Sequence, residues 1–332
     1  MKQKIKNTSL ILRLIFVFFG TGCFTVSKLN AQESEKINFN LPGDLLVLEK
    51  QINNNERATP GIRQGCEAKI IWADPTKKAK TKLAFLYIHG FGASQMEGDP
   101  IHRNIAKKYS ANLYLARLAG HGIDLGDSTM AKVTANDFAY SAEYALAVAK
   151  TLGDEVIVMS NSFGGALSCY LASKHPEIKA MVLYSPCIRV YDKRAEMIAQ
   201  PGAVQSIVKQ YGSAMVDFKP VNEEYAKYWT THYHLNGLAS FQTFLFREMN
   251  KETFEKVKCP VFMGYWYKNE NEKDTVASLP AMLKMFEELG SVKKLRFAFH
   301  EAGNHTLSTP ILSAAADVEA VQKETEKFLK RI

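Results

Sequence analysis

The sequence predicts an α/β fold with a mostly parallel central sheet flanked by helices, and a helical lid inserted after the sixth strand. Three observations predict it. Segments such as LAFLYIHG (83–90), VIVMS (156–160) and AMVLYSP (180–186) are nearly unbroken apolar runs, as expected of strands whose sheet is covered on both faces. Helix-length segments separate them, and that alternation builds a sheet from strand–helix–strand units. Between 186 and 256 the alternation stops in favour of a helical stretch rich in aromatics.

Taken in order, the chain of 332 residues begins with a basic start (MKQKIKN), an apolar run (LILRLIFVFFGTGCFTV) and a polar LNAQES. That layout is a secretory signal, residues 1–31, cleaved after Ala31, and it implies an exported (periplasmic or secreted) protein. Arg13 breaks the apolar run and argues against a membrane span. Lipid attachment at Cys23 is the weaker alternative because Gly20 stands where such signals carry an aliphatic residue, and membrane contact is expected only through an uncleaved or lipidated N-terminus.

The signal holds Lys2, Lys4, Lys6, Arg13 and Lys28 and no acid, so 37 basic and 34 acidic residues remain and the formal +8 becomes +3. No basic stripe of the kind that binds nucleic acid is left. Cys66, Cys169, Cys187 and Cys259 are too few for a disulfide framework, and no cysteine or histidine pair has zinc spacing, so no metal is expected. Residues 32–65 read as a loose polar lead-in, and 66–332 as the main α/β domain, with the helical cap at about 187–240. Helix 134–151 shows apolar or small residues three and four apart (Phe138, Ala142, Ala145, Leu146, Ala149). Further strands are expected at 66–72, 111–118, 259–267 and 294–300, and further helices at 100–109, 164–174, 278–289 and about 313–331. The lid aromatics Tyr191, Tyr211, Phe218, Tyr225, Tyr228, Trp229, Tyr233, Phe241, Phe244 and Phe246 either pack the lid onto the body or line an acyl pocket, packing being the commoner role.

Ligands of such sheets gather where the strands end at their carboxyl edge. There VIVMSNSFGGALSCYLASKH (156–175) runs from strand through Ser162 into a helix. A serine on so tight a turn stands exposed, with backbone amides behind it, provided the residues two before and two after are small. Ser160 and Gly164 satisfy this, although the best-known form of the turn has glycine at the first position. The plainer reading makes Ser162 a helix N-cap. YIHGFGAS (87–94) offers unencumbered amides, and those of Phe91 and Phe163 form the natural pair to hold a developing oxyanion. No phosphate-loop pattern is present.

A serine hydroxyl needs a base, and the base needs a carboxylate, in the chain order serine, acid, histidine. His300 and His305 follow every candidate acid; His305, on a loop with Gly303, is favoured over His300 at a strand end. Of Glu270, Glu272 and Asp274 in KNENEKDTVAS, Asp274 is favoured, then Glu272.

The motifs IHGFGAS, LARLAGHG, the 156–186 segment, KDTVASLPAMLKMFEELGS and AGNHTL together resemble the α/β-hydrolase superfamily, in its branch of bacterial carboxylesterases and monoacylglycerol lipase-like enzymes, over about 66–331. The resemblance implies Ser162 as nucleophile, Asp274 as acid, His305 as base, oxyanion amides at Phe91 and Phe163, and no cofactor. The reaction expected is hydrolysis of a small-molecule carboxylic ester through an acyl-enzyme. The same residues serve amide, thioester or C–C cleavage or acyl transfer in other settings, and an inactive binding protein of this fold is the remaining alternative. His121, in the GHG turn, is expected to be structural.

Overall fold

The computed structural model describes residues 39–313 and 316–332; the expected signal at 1–31, with Cys23, lies outside them. The strands are β1 (Lys69–Ile71), β2 (Thr81–Ile88), β3 (Asn112–Leu115), β4 (Gly153–Asn161), β5 (Ala180–Tyr184), β6 (Met215–Asp217), β7 (His232–His234), β8 (Val261–Asn269), β9 (Glu272–Lys273) and β10 (Lys294–Phe299). The helices are α1 (Leu45–Ala58), α2 (Ile101–Lys108), α3 (Ala135–Leu152), α4 (Phe163–Lys174), α5 (Ala203–Tyr211), α6 (Glu223–Tyr228), α7 (Leu235–Glu248), α8 (Lys251–Lys256), α9 (Leu279–Glu288) and α10 (Val318–Leu329).

One sheet runs β1-β3-β2-β4-β5-β8-β10, with β9 attached to β8. From β3 to β10 its neighbours are parallel; β1 pairs antiparallel at the edge. Alternation along β4 explains why both faces are apolar. Val156 and Val158 point into the core under α3 and α4, whereas Ile157 and Met159 join Ile101, Ile105 and Phe328 from α2 and α10. Register brings Ile88 opposite Ser160 and Asn161 opposite Tyr184, so the loops leaving β2, β4 and β5 meet at one edge.

Four sequence expectations are corrected. The described part of the lead-in, 39–65, is not loose. Asp44 caps α1, Leu48 and Ile52 are buried, and the helix's acids find partners on the body. Glu49 accepts from Trp72 Nε1 at 2.7 Å, and Glu56 takes both Arg117 Nε at 2.6 Å and Arg117 Nη2 at 2.9 Å. Those partners lie far away in sequence, so a polar stretch hides an ordered helix. The insertion follows the fifth described strand, not the sixth, because among the described residues only β1 to β4 precede β5. Nor is it purely helical: β6 and β7 pair antiparallel within it. The last helix is shorter than expected, since Asp317 caps it by accepting from Ala320 N.

The insertion's aromatics divide. Trp229, Tyr233, Phe241 and Phe244 are buried, while Tyr191, Tyr211 and Phe246 face solvent. All four described cysteines are buried free thiols. Among the described residues no helix is long and apolar enough to cross a membrane.

Helix α4 sits close to the sheet because Gly165 lacks a side chain; a Cβ there would fall 2.6 Å from Pro186 Cβ. Gly165→Val is expected to lose about 1–3 kcal/mol of stability, read as a lower urea midpoint at unchanged slope. An unaltered midpoint would show that this packing is looser than drawn.

Candidate active site

The turn from β4 into α4 is crowded on every side. A Cβ on Gly164 would fall 2.1 Å from the Ile88 carbonyl oxygen, and one on Gly90 would fall 2.9 Å from Ser162 Cβ. Ser162 itself has φ +52°, a conformation costing a non-glycine residue roughly 1–3 kcal/mol. Three backbone bonds hold it there. Ser162 N donates to Tyr184 O at 2.9 Å, and Ser162 O accepts from Gly165 N at 2.9 Å and Cys187 N at 2.8 Å. Although Ser162 occupies the N-cap position of α4, its side chain makes no capping bond. The hydroxyl is held at the turn for something other than capping.

Ser160 fits the position where glycine is usual because its hydroxyl has a partner. Ser168 Oγ lies 2.9 Å from Ser160 Oγ and 2.8 Å from the Gly164 carbonyl, so the extra polar atom is paired inside the core.

His305 and Asp274 meet. Their Nδ1 and Oδ2 atoms are 2.5 Å apart, and the Asp274 side chain is fully buried. The second carboxylate oxygen accepts from Val276 N at 2.8 Å and Ala277 N at 3.0 Å, which fixes its direction. A carboxylate only accepts, so Nδ1 carries the proton and Nε2 of the neutral ring is the basic nitrogen. Nε2 is buried and has no hydrogen-bond partner among the described residues. Burial pulls the imidazolium down, but the Asp274 carboxylate more than offsets this and leaves the His305 pKa above its usual value. Loop and elbow adjoin, since Asn161 Nδ2 reaches the Thr306 carbonyl at 3.4 Å.

The other candidates lie apart from this centre. His300 is exposed and bonded to the Tyr267 carbonyl at 2.8 Å. Glu270 and Glu272 sit on the β8–β9 hairpin, paired with Lys273 and Asn269 respectively. Neither the Phe91 nor the Phe163 amide has an acceptor among the described residues, and both border the Ser162 turn.

Two histidines beneath the Phe91 loop were not expected to act together. His89 Nδ1 donates to the Gly90 carbonyl at 2.8 Å, while its Nε2 accepts from Leu118 N at 3.2 Å. Burial pushes its pKa down to about 4, which keeps it neutral for both bonds. His121 Nδ1 lies 2.9 Å from the Ala119 carbonyl, and its ring packs against Phe91 and His89. The sequence signal for His89 was only its place before glycine at a strand end.

The site is covered. Ser162 is 8% exposed and the His305 side chain 11%. Phe91 stacks on Phe241 of the insertion with centroids 4.8 Å apart, and Thr230 N donates to the Gly92 carbonyl at 2.6 Å. Arg63 ties the same part of the insertion to the body through Ala226 O, Trp229 O and Thr230 Oγ1. Two grooves, of about 240 and about 490 Å³, lie instead beside α1 and α3 and are lined by neither Ser162 nor His305.

Residues 85–321 match the Alpha/beta hydrolase family, and the chain belongs to it. A thermostable monoacylglycerol lipase of Bacillus sp. (strain H-257) is 31% identical over 110 residues, which are 33% of this chain and 43% of that protein. The matched stretch thus spans less than half of that relative. Among solved structures the fold is shared with one from a study of the metagenome-derived lipolytic enzymes LipS and LipT, at TM-score 0.65 and 17% identity over 82% of this chain and 100% of that one. It is also shared with a soluble variant of monoglyceride lipase from Saccharomyces cerevisiae, at TM-score 0.58 and 15% identity over 83% and 97%.

Removing His89 leaves the Leu118 amide without a partner and the Gly90 carbonyl with only the 3.3 Å bond from Ala93 N. His89→Ala is expected to lose about 1–3 kcal/mol for each group left buried and unpaired, measured by urea unfolding. Wild-type stability in that variant would mean the two bonds do not support the loop.

Proposed function

We propose that the protein is an exported serine hydrolase that cleaves carboxylic esters through an acyl-enzyme. Ser162 is the nucleophile, His305 the base, and Asp274 the acid that holds His305 in its tautomer. The observation that carries this reading is the 2.5 Å contact between Asp274 and His305 Nδ1, with Nε2 left unpartnered and the histidine's loop bonded through Thr306 to Asn161, the neighbour of a serine held at positive φ. In the first half-reaction Nε2 takes the Ser162 proton as Oγ attacks the ester carbonyl. The oxyanion is received by the Phe91 and Phe163 amides, each such donor being worth roughly 3–4 kcal/mol. His305 then returns the proton to the leaving alcohol. Water, activated by the same ring, releases the acid.

The insertion serves as a lid at about 187–240. With Ser162 nearly sealed, ester entry requires the segment around Thr230 and Phe241 to move from the Phe91 loop. The similarity to a monoacylglycerol lipase and to lipolytic enzymes makes fatty-acyl esters of small alcohols the first substrates to try.

A panel of p-nitrophenyl esters of increasing chain length, run beside arylamides and thioesters, tests the reaction class; a higher kcat/KM on an amide overturns the esterase reading. Ser162→Ala should lose all ester turnover and all labelling by a fluorophosphonate probe, and labelling that survives in the variant would remove Ser162 as nucleophile. Only neutral His305 accepts the proton, so kcat/KM should fall as pH drops through a pKa held above the usual histidine value by the Asp274 carboxylate.

Export is read from residues 1–31 alone. Mass spectrometry of the protein made in a secreting host should find Gln32 at the N-terminus, and a chain beginning at Met1 would refute cleavage.

A further inference from the structure

One acidic group at the centre has no part in the reaction just described. Glu97 lies on a single 3-10 turn, Gln95–Gly98, that follows the Phe91 loop. It is 3% exposed, yet among the described residues no lysine or arginine pairs with it. Its Oε2 accepts the Gly90 N–H at 2.6 Å. Its Oε1 and Ser162 Cβ flank one point, the place a Gly90 Cβ would occupy, at 2.8 and 2.9 Å. Glycine at 90 therefore makes room for a carboxyl and a nucleophile side by side.

We propose that Glu97 is a positioning residue for hydrolysis: its carboxyl fastens the Gly90 amide, thereby fixes where the adjoining Phe91 amide points, and supplies a second acidic group beside the His305 base. This inference rests on the Ser162–His305–Asp274 reading. The groups facing Glu97 come from four elements besides its own turn. Tyr87 on β2 faces it without a hydrogen bond of good geometry, and Tyr225 of α6 faces it from the insertion. His305 faces it from the loop after β10, and the Gly90 amide from the loop after β2. Only His305 among them becomes cationic, and it does so when it takes the Ser162 proton.

A buried carboxyl without a cationic partner is costly, and burial pushes the Glu97 pKa up to about 7. A structural role alone would be met by glutamine, whose amide oxygen accepts the Gly90 N–H equally well. The ionisable acid adds an effect that glutamine lacks. Ionised Glu97 stabilises the His305 imidazolium and so raises the pH below which the base is lost.

The test compares Glu97→Gln and Glu97→Ala by kcat and KM across pH on a soluble p-nitrophenyl ester. Alanine removes the Gly90 anchor and should lower kcat roughly tenfold or more with little change in KM. Glutamine should restore most of that kcat and move the acid limb of kcat/KM to lower pH by about half a unit or more. An acid limb in Glu97→Gln that coincides with wild type overturns the proposal, as does a wild-type kcat in Glu97→Ala. Should the alanine variant not fold, the limb of the glutamine variant decides alone. Fluorophosphonate labelling that is lost in Ser162→Ala upholds the nucleophile whichever way Glu97 falls, so the two readings fail separately.

Discussion

The close approach of the α4 N-terminus to the ends of β2 and β5 is the constraint on which the rest depends. It is made possible by two absent side chains, at Gly164 against the Ile88 carbonyl and at Gly165 against Pro186. With no room for a gradual turn, Ser162 must take a positive φ, and the bonds from Tyr184, Gly165 and Cys187 hold it against the strain. The same crowding leaves the first amides of α4 open at the strand edge. Gly90 then completes the arrangement from the neighbouring loop. A hydroxyl with donors behind it is thus a consequence of packing, set up before any substrate arrives.

Packing also explains how a serine came to be accepted at position 160. A methylene there is small enough, but a hydroxyl buried without a partner would cost about 1–3 kcal/mol. Ser168, eight residues on along α4, lies within bonding distance of it. Neither serine is informative by itself in the sequence; the pair is visible only once strand and helix are laid together.

That contrast describes what was legible. Unbroken apolar runs at 83–90, 156–160 and 180–186 announced the parallel sheet, because covering both faces leaves no polar positions to alternate. Asp274 and His305 could be singled out because each lies on a loop after a strand in the required order, and the structure brings these two into contact. The helix α1 was not legible, since its order comes from Glu49 and Glu56 meeting Trp72 and Arg117. Glu97 was missed for the same reason. In SQMEGD it reads as one more turn acid, and nothing nearby in sequence indicates that Gly90 and Ser162 close around it. Charges whose meaning depends on distant partners are where single-sequence reasoning stops.

The covering segment and the chemical centre are not independent parts. Thr230 donates to the carbonyl of Gly92, one residue beyond the Phe91 amide, and Phe241 stacks on the Phe91 ring. Tyr225, on the same stretch of insertion, faces Glu97, which in turn holds Gly90. Contacts of the cover and the internal anchors Glu97 and His89 therefore act on a loop of three residues. If the cover withdraws, Thr230 and Phe241 leave, and Glu97, His89 and the packing of the Phe91 ring on His121, Phe138 and Phe163 remain to hold the loop from the body. Both hydrogen-bonding anchors grip Gly90, His89 at its carbonyl and Glu97 at its amide. A single residue held at both its amide and its carbonyl keeps the Phe91 amide aimed, which is why a buried acid and a buried neutral histidine are worth their desolvation at this one position.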